Sequence, residues 1–192
     1  MKTVLKETQI EFEEKKSKFI GYIKPVKKVT EAEEFIEYIN ILHPNATHNC
    51  SAYRIIENGQ EYYKVDDNGE PSGTAGKPIG EIFIALDVHN VVVVVTRYFG
   101  GIKLGAGGLI RNYAKTAKLA VNEAQIVEYI EKEEYLIDFS YNKSSEIDKI
   151  IFDEKIEISD KTFDERVSYK MLLSKKQKEK FEEIKDIIII GV

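Results

Sequence analysis

The amino-acid sequence predicts an α+β protein with two domains. Strand-like alternation and helix-like periodicity are interspersed through its 192 residues, of which 43% are hydrophobic and 32% charged. From Tyr129 onward the predicted elements follow the order strand, helix, strand, strand, helix, strand. We therefore place a first domain at residues 1–128 and a second domain at residues 129–192.

The first predicted elements are a strand and an amphipathic helix. Apolar and polar residues alternate over residues 18–26, which favours a strand. Thr30 then offers an N-cap, and Glu33 completes a capping box three residues later. The helix that follows carries apolar residues at helical spacing and is predicted to end before Pro44.

A hairpin and a buried strand come next. Residues 47–56 and 61–65 have strand character, and the Asn-Gly pair at 58–59 between them is a strong signal for a two-residue hairpin turn. A short apolar helix is predicted over residues 80–86. Residues 91–95 are five consecutive valines, so this strand is predicted to lie buried at the centre of a sheet.

The second predicted domain is a ferredoxin-like βαββαβ unit. Ser144 and Ser174 each stand where a side chain would cap the N-terminus of a helix. The last strand, DIIIIGV, is apolar at successive positions, so we expect it to be central and covered on both faces. The predicted strands are 134–141, 155–159, 166–173 and 187–191, and the predicted helices are 144–153 and 175–186.

Charge is distributed unevenly along the chain. The net charge of −5 argues against a protein whose whole surface attracts nucleic acid. However, no acidic residue occurs from Val88 to Asn122, and three cations of this stretch lie on one side of a predicted helix at residues 109–124. The cations of the stretch are Arg97, Lys103, Arg111, Lys115 and Lys118. We therefore expect a local cationic surface on an acidic protein.

The sequence also bears on the cellular compartment. The start of the chain, MKTVLKETQIEFEEKKSKF, has alternating charges where a signal peptide would have an apolar core. No uncharged run approaches the length of a membrane span. The single cysteine, Cys50, cannot form an intramolecular disulfide, which fits a reducing compartment. We therefore expect a cytoplasmic protein with no membrane partner.

Two glycine-rich segments are the candidate binding elements. In the first, DDNGEPSGTAG, the glycines would let backbone N–H groups approach an anion while Thr74 caps a helix. One alternative is a tight connection in which Asp66, Asp67 and Asn68 make turn hydrogen bonds. Another is a Mg²⁺ ion held by the two aspartates and Glu70.

The second glycine-rich segment, GGIKLGAGG, also joins a predicted strand to a predicted helix. The segment and its flanks supply Arg97, Lys103 and Arg111 instead of carboxylates. Positive side chains, backbone amides and a helix N-terminus together favour phosphate, either on a nucleotide or on an RNA backbone. We expect the two segments to lie close together and to form one pocket.

Three aromatic residues flank the second segment. Tyr98, Phe99 and Tyr113 would be able to stack on bases, and the alternative is that they belong to the core beside a buried strand. For Phe99 and Tyr113 we favour the core, and for Tyr98 both interpretations stay open.

A catalytic site is not expected. His48 and Cys50 alternate onto the same strand face as Arg54, but residues two apart on a strand are separated by about 7 Å, too far for a dependable nucleophile and base. We expect no cofactor. The candidate ligand-binding residues are Arg54, Asp66, Asp67, Glu70, Ser72, Thr74, Arg97, Tyr98, Gly100, Gly101, Lys103, Gly105, Gly107, Gly108, Arg111 and Lys115.

Three stretches of the sequence resemble a known family. ATHNCSAYRI, DDNGEPSGTAGKPI and VVVTRYFGGIKLGAGGLIRNY, in this order and spacing, look like the signature of the YigZ/IMPACT family. The resemblance covers about residues 17–125, and the βαββαβ tail is similar to the extra C-terminal domain of bacterial members.

The resemblance implies a fold for each domain. The first would be a two-layer α+β domain, a sheet with helices on one face, of the kind shared by a small-subunit ribosomal protein and GHMP-type kinases. The second would be ferredoxin-like. The same pair of folds occurs in order in the last two domains of elongation factor G, although fold similarity alone does not transfer function.

The resemblance also implies a function. Eukaryotic IMPACT proteins regulate translation through a partner protein on the ribosome, so we expect a non-catalytic regulator or accessory factor that binds RNA or the ribosome. Two alternatives stay open at this point. One is a phosphorylated small molecule or nucleotide held by the glycine-rich segments, in a binding protein or an enzyme, and the other is a protein–protein interaction module.

Overall fold

The computed structural model describes residues 1–192 and divides into two compact units, residues 1–129 and residues 130–192. The boundary predicted after residue 128 lies next to this division. Each unit encloses a hydrophobic cluster of its own. No helix of the chain combines the length and the apolar character needed to cross a bilayer.

The first unit contains seven strands and three helices. They are β1 (Lys2–Val4), β2 (Thr8–Glu14), β3 (Ser17–Pro25), α1 (Val29–Leu42), β4 (His48–Glu57), β5 (Gln60–Asp66), α2 (Gly76–Leu86), β6 (Val91–Tyr98), α3 (Gly105–Glu123) and β7 (Ile126–Glu128). Five strands form an antiparallel sheet in the order β2-β3-β6-β4-β5, and β1 pairs with β7 in a separate two-stranded ribbon. The valine-rich β6 is central, as its sequence predicted.

Helices cover both faces of this sheet, so the prediction of helices on one face only is wrong. The odd-numbered valines of β6 belong to the cluster that contains Phe83 of α2 and Tyr113 of α3. The even-numbered valines belong to a second cluster with Phe35 and Ile39 of α1. Side chains alternate between the two faces of a strand, and a strand that is apolar at every position therefore needs cover on both faces.

Helix α1 begins without the predicted capping box. Its N-cap is Lys28, and no side chain of the predicted Thr30–Glu33 pair caps it. The backbone N–H of Val29 instead donates to the Glu57 carboxylate at 3.0 Å. Because Glu57 lies at the end of β4, the partner of this helix terminus comes from a distant part of the sequence.

The β4–β5 hairpin forms where the Asn-Gly pair predicted it. Asn58 and Gly59 have φ values of +52° and +75°. Positive φ at both central residues is the requirement of the turn whose twist matches a β-hairpin. The prediction of a hairpin at this position is confirmed.

The second unit has the predicted ferredoxin-like order. Its elements are β8 (Lys132–Phe139), α4 (Ser144–Asp153), β9 (Ile158–Phe163), β10 (Val167–Ser174), α5 (Lys175–Glu182) and β11 (Ile188–Gly191). The strands pair antiparallel in the order β11-β8-β10-β9. Ile147 of α4 and Phe181 of α5 are fully buried in the same cluster as Ile137 and Phe139 of β8.

Three local predictions in this unit concern the two serine caps and the position of the last strand, and one of the three is confirmed. Ser174 caps α5 in a reciprocal capping box with Gln177, as expected. Ser144 does not cap α4, because it is already the first helical residue. The expectation that the last strand is central is wrong: β11 is an edge strand, and Ile188 and Ile190 are about half exposed.

Candidate functional site

The first glycine-rich segment is held together by Asp67. The backbone N–H groups of Gly73, Ala75 and Gly76 donate to its carboxylate at 2.6, 2.9 and 2.9 Å. Burial alone would raise the pKa of Asp67, but these three donors lower it below its ordinary value. The chain's own carboxylate thus occupies the position where an external anion was expected at the start of α2.

The neighbouring residues of this segment also make internal bonds. Asp66 accepts a hydrogen bond from the backbone N–H of Asn68 at 2.8 Å. The Thr74 hydroxyl does not cap α2 but donates to the carbonyl of Pro71 at 2.6 Å. Ser72 is exposed and makes no hydrogen bond. The segment is therefore the tight connection that was one of its alternative interpretations.

Glu70 forms a buried polar network with residues of other elements. One of its carboxylate oxygens accepts from Arg97 Nη1 at 2.6 Å and from the Tyr113 hydroxyl at 2.7 Å. Glu70, Arg97 and Tyr113 are all buried, and His48 Nε2 lies 3.8 Å from the other oxygen. Arg97 lies in β6 directly before the second glycine-rich segment. The Glu70–Arg97 ion pair therefore joins the two segments, which do lie close together.

This network corrects one expectation, disfavours one alternative and confirms one interpretation. Arg97 is not available to a phosphate, because it is buried and its charge is matched by Glu70. The three carboxylates proposed for Mg²⁺ do not form a metal-binding group, since Asp67 and Glu70 face different partners. Tyr113 is a core residue, as favoured.

The aromatic residues beside Arg97 differ from expectation. The guanidinium carbon of Arg97 lies 5.9 Å from the centre of the Phe19 ring and 5.6 Å from that of Phe99. Phe99 is 47% exposed, so its assignment to the core is wrong.

Tyr98 points to the opposite face of the sheet, where its hydroxyl lies 2.8 Å from Nδ1 of His43. Strand alternation separates Tyr98 from its neighbour Arg97 in this way.

Cys50 lacks the properties of a nucleophile. It is fully buried, and its thiol donates to the carbonyl of Asp67 at 3.0 Å. Burial raises the pKa of the thiol far above its ordinary range, which suppresses the reactive thiolate. His48 is hydrogen-bonded to the carbonyl of Asn68 at 2.7 Å and makes no hydrogen bond to Cys50.

The second glycine-rich segment lies against the β2–β3 turn. A Cβ added to Gly100 would overlap the backbone carbonyl of Lys16, and the N–H of Gly100 donates to the Ser17 hydroxyl at 3.2 Å. Gly101 and Gly105 have φ values of +87° and +69°, a region that L-residues rarely adopt. These contacts bring the β2–β3 turn beside the N-terminus of α3.

Five cations lie at the β2–β3 turn, in the second glycine-rich segment and along α3, and we call them the cationic surface: Lys15, Lys16, Lys103, Arg111 and Lys115. All five are exposed and none forms an ion pair. Helix α3 has no side-chain cap and no acidic residue in its first turn, in which Gly107 is exposed and Gly108 is buried. A cleft of about 260 Å³ lies between Lys15 and Arg111, and Glu14 is the one acidic residue that lines it.

Two residues of this surface, Lys15 and Lys16, were not predicted from the sequence, and a further predicted candidate, Arg54, lies elsewhere. Lys15 and Lys16 occupy a tight turn with φ values of +48° and +61°, and the adjacent lysines in EEKKSK were the available signal. Arg54 does not belong to the site. Arg54 pairs with Val91 at one end of β4, whereas His48 pairs with Arg97 at the other end. The Arg54 guanidinium donates to the Glu61 carboxylate at 2.8 Å.

Comparison with known proteins identifies the family. The Impact N-terminal domain matches residues 15–121, which include both glycine-rich segments and the whole cationic surface. The chain belongs to the IMPACT family. IMPACT family member YvyE of Bacillus subtilis is 52% identical over 113 residues, which are 59% of this chain and 52% of that protein. IMPACT family member YigZ of Escherichia coli is 33% identical over 138 residues, 71% of this chain and 68% of that protein.

A solved relative extends the likeness to both units. The crystal structure of a hypothetical protein aligns with a TM-score of 0.65 and 25% identity over 100% of this chain and 96% of that chain. The two-unit α+β architecture therefore recurs in another protein of similar sequence. The matched region spans about half the length of the Bacillus subtilis relative.

Proposed function

We propose that this IMPACT family protein is a non-catalytic, translation-associated factor that binds RNA through the cationic surface. The observation that carries the proposal is a set of five exposed cations without ion pairs, which extends from the uncapped N-terminus of α3 along that helix and onto the β2–β3 turn. Both features attract phosphate oxygens, and phosphate contacts provide most of the affinity of sequence-independent RNA binding. The link to translation rests on membership of the IMPACT family, whose eukaryotic members are regulators of translation.

The alternative of a small-molecule site between the two glycine-rich segments has less support. The N–H groups of the first segment are taken by Asp67, and the nearest arginine, Arg97, is paired with Glu70. The burial and raised pKa of Cys50 likewise give no support to an enzyme that would use this thiol as its nucleophile. The exposed Phe99 ring lies over Arg97 beside the cationic surface, where it would be able to stack on a base.

Removing two cations from the surface tests this proposal. We expect Arg111→Ala/Lys115→Ala to weaken binding of a fluorescein-labelled single-stranded RNA about tenfold at low salt, because two phosphate contacts are lost. The slope of log affinity against log salt should fall by about 1.4, since each contact on a single strand contributes about 0.7. Fluorescence anisotropy over a series of KCl concentrations measures both quantities.

The matched control is Lys27→Ala/Lys28→Ala. These exposed lysines follow β3 at the end of the sheet where Pro25 pairs with Val91, opposite the end where Lys18 pairs with Tyr98. The control removes the same charge as the test variant but at the opposite end of the sheet. Its RNA affinity should therefore stay within about twofold of the parent. Equal weakening by the two double variants, or no RNA binding at low salt, would refute the proposal.

A further inference from the structure

Helix α1 carries a second apolar stripe that nothing covers. Its inner stripe, Phe35 and Ile39 among others, packs against the sheet. Tyr38, Ile41 and Leu42 are 57%, 69% and 48% exposed, and their spacing places them along one side of the helix. An exposed set of three large apolar residues on one helix is a common mark of an interaction site.

This stripe borders a groove between α1 and the sheet edge. One depression of about 420 Å³ is lined by Glu31, Glu34 and Phe35 of α1 together with Glu7 and Lys24. A second depression, of about 240 Å³, lies beside Leu42, Tyr22 and the start of β2. Glu7 and Tyr38 line both depressions, so they form one continuous groove, which we call the acidic groove.

The charges around the acidic groove are mostly negative. Helix α1 contains four glutamates and no lysine or arginine. The cation in the groove, Lys24, is paired with Glu7 at 3.5 Å, whereas Glu34 and Glu37 have no ion pair and are exposed. On the other face of the same sheet, α3 carries Arg111 and the other cations of its exposed side. The helices α1 and α3, which lie on opposite faces of the sheet, therefore carry opposite net charge.

Charge and shape together select one class of occupant. We propose that the acidic groove binds a Lys/Arg-rich polypeptide segment that inserts apolar side chains beside Tyr38 and Leu42. RNA and anionic lipid headgroups are repelled by the glutamates, and the same groove of a second copy is repelled in the same way. A cationic segment with apolar anchors would pair its charges with the glutamates and pack its apolar side chains against the exposed stripe, as in helix-in-groove complexes.

A designed peptide tests this inference. The probe is a fluorescein-labelled peptide of about 15 residues with leucines at helical spacing on one side and lysines elsewhere. We expect it to bind the full chain, and Glu31→Gln/Glu34→Gln to weaken binding at least about fivefold because two attractive charges are removed. The Glu31 carboxylate accepts a hydrogen bond from the backbone N–H of Lys27 at 2.8 Å. The amide that replaces this carboxylate still offers an oxygen to that donor, so the start of α1 is preserved.

The control for charge is Glu81→Gln/Glu123→Gln, which removes two exposed glutamates from α2 and α3 on the other face of the sheet. Peptide affinity of this variant should stay within about twofold of the parent. Tyr38→Ser/Leu42→Ser should weaken binding to a similar extent as the glutamate variant, because the apolar anchors lose their contacts. Arg111→Ala/Lys115→Ala should leave peptide affinity unchanged, which separates this inference from the proposed RNA binding.

Three outcomes would overturn the inference. The first is no peptide binding, and the second is equal weakening by the groove variant and its charge control. The third is self-association in sedimentation velocity that is abolished both by Glu31→Gln/Glu34→Gln and by Arg111→Ala/Lys115→Ala. In that case the occupant of the groove would be the cationic surface of a second copy.

Discussion

A single carboxylate, that of Glu70, organises the centre of the candidate site. It comes from the first glycine-rich segment and accepts hydrogen bonds from Arg97 of β6, which precedes the second segment, and from Tyr113 on α3. Burying two opposite charges costs desolvation energy that their mutual attraction must offset, so removal of one partner leaves an uncompensated charge. Glu70 therefore links the first segment to β6 and α3, and its charge is matched by Arg97.

We expect Glu70→Gln to lower the free energy of unfolding by roughly 3–5 kcal/mol, because the buried Arg97 guanidinium loses its counter-charge. Urea unfolding followed by circular dichroism measures the change. The control is Glu33→Gln, whose carboxylate pairs with Lys64 at 3.3 Å with both side chains more than half exposed. Its cost should be below about 1 kcal/mol. A similar loss in the free energy of unfolding for both variants would mean that the Glu70–Arg97 pair is solvated.

Among the secondary-structure elements, the close approach of two turns builds the cationic surface. The β2–β3 turn carries Lys15 and Lys16, and it touches the second glycine-rich segment at Gly100, where no side chain fits. This contact brings lysines from the start of the chain beside Arg111 and Lys115 of α3. The surface thus depends on the packing of two loops as well as on the charges themselves.

We expect Gly100→Ala to destabilise the protein by roughly 1–3 kcal/mol, because the added methyl group overlaps the backbone of Lys16 and the turn must move. RNA affinity, measured by anisotropy, should fall as well, since Lys15 and Lys16 are displaced. Gly107→Ala is the matched control. Its Cβ would meet only the Arg111 guanidinium at 3.6 Å, so it should be neutral or slightly stabilising. Unchanged stability and RNA affinity in Gly100→Ala would show that the cationic surface does not depend on the packing of the two loops.

Across the molecule as a whole, the two units have independent cores and the first carries both proposed surfaces. The first unit is closed by the β1–β7 ribbon, in which Val4 pairs with Ile126. The backbone of Leu5 donates to the carbonyls of Ala124 and Gln125, and the Ala124 side chain is fully buried. Residues 122–129 therefore belong to the fold of the first unit, although they lie beyond the matched family domain.

We expect a fragment of residues 1–129 to unfold cooperatively in urea and to bind RNA with the affinity of the full chain. A fragment of residues 1–121 should be less stable by roughly 2 kcal/mol or more, because β1 loses its partner and the Ala124 site is left open. Circular dichroism in urea and anisotropy compare the two fragments. Aggregation or non-cooperative unfolding of the 1–129 fragment would show that the first unit needs the second.

Local sequence signals predicted the features that depend on neighbouring residues. The Asn58–Gly59 turn, the Ser174 cap and the bounds of α4 all follow from residues that are close along the chain. The cap of α1 was missed because its partner, Glu57, comes from a strand 28 residues away. The edge position of β11 was missed because an apolar strand has the same pattern whether the neighbour on its open side is present or absent.

Residue patterns were sufficient to predict the α+β class, the central valine strand and the ferredoxin-like order. They were also sufficient to predict the glycine-rich segments that mark the IMPACT family and the acid-free stretch that supplies Lys103, Arg111 and Lys115. Which charges are free became visible only in the folded chain. Arg97 is neutralised by Glu70, whereas Lys15 and Lys16 join the exposed cations. The physical reason is that a side chain's availability depends on which distant residues the fold places against it, and spacing along the chain does not encode those contacts.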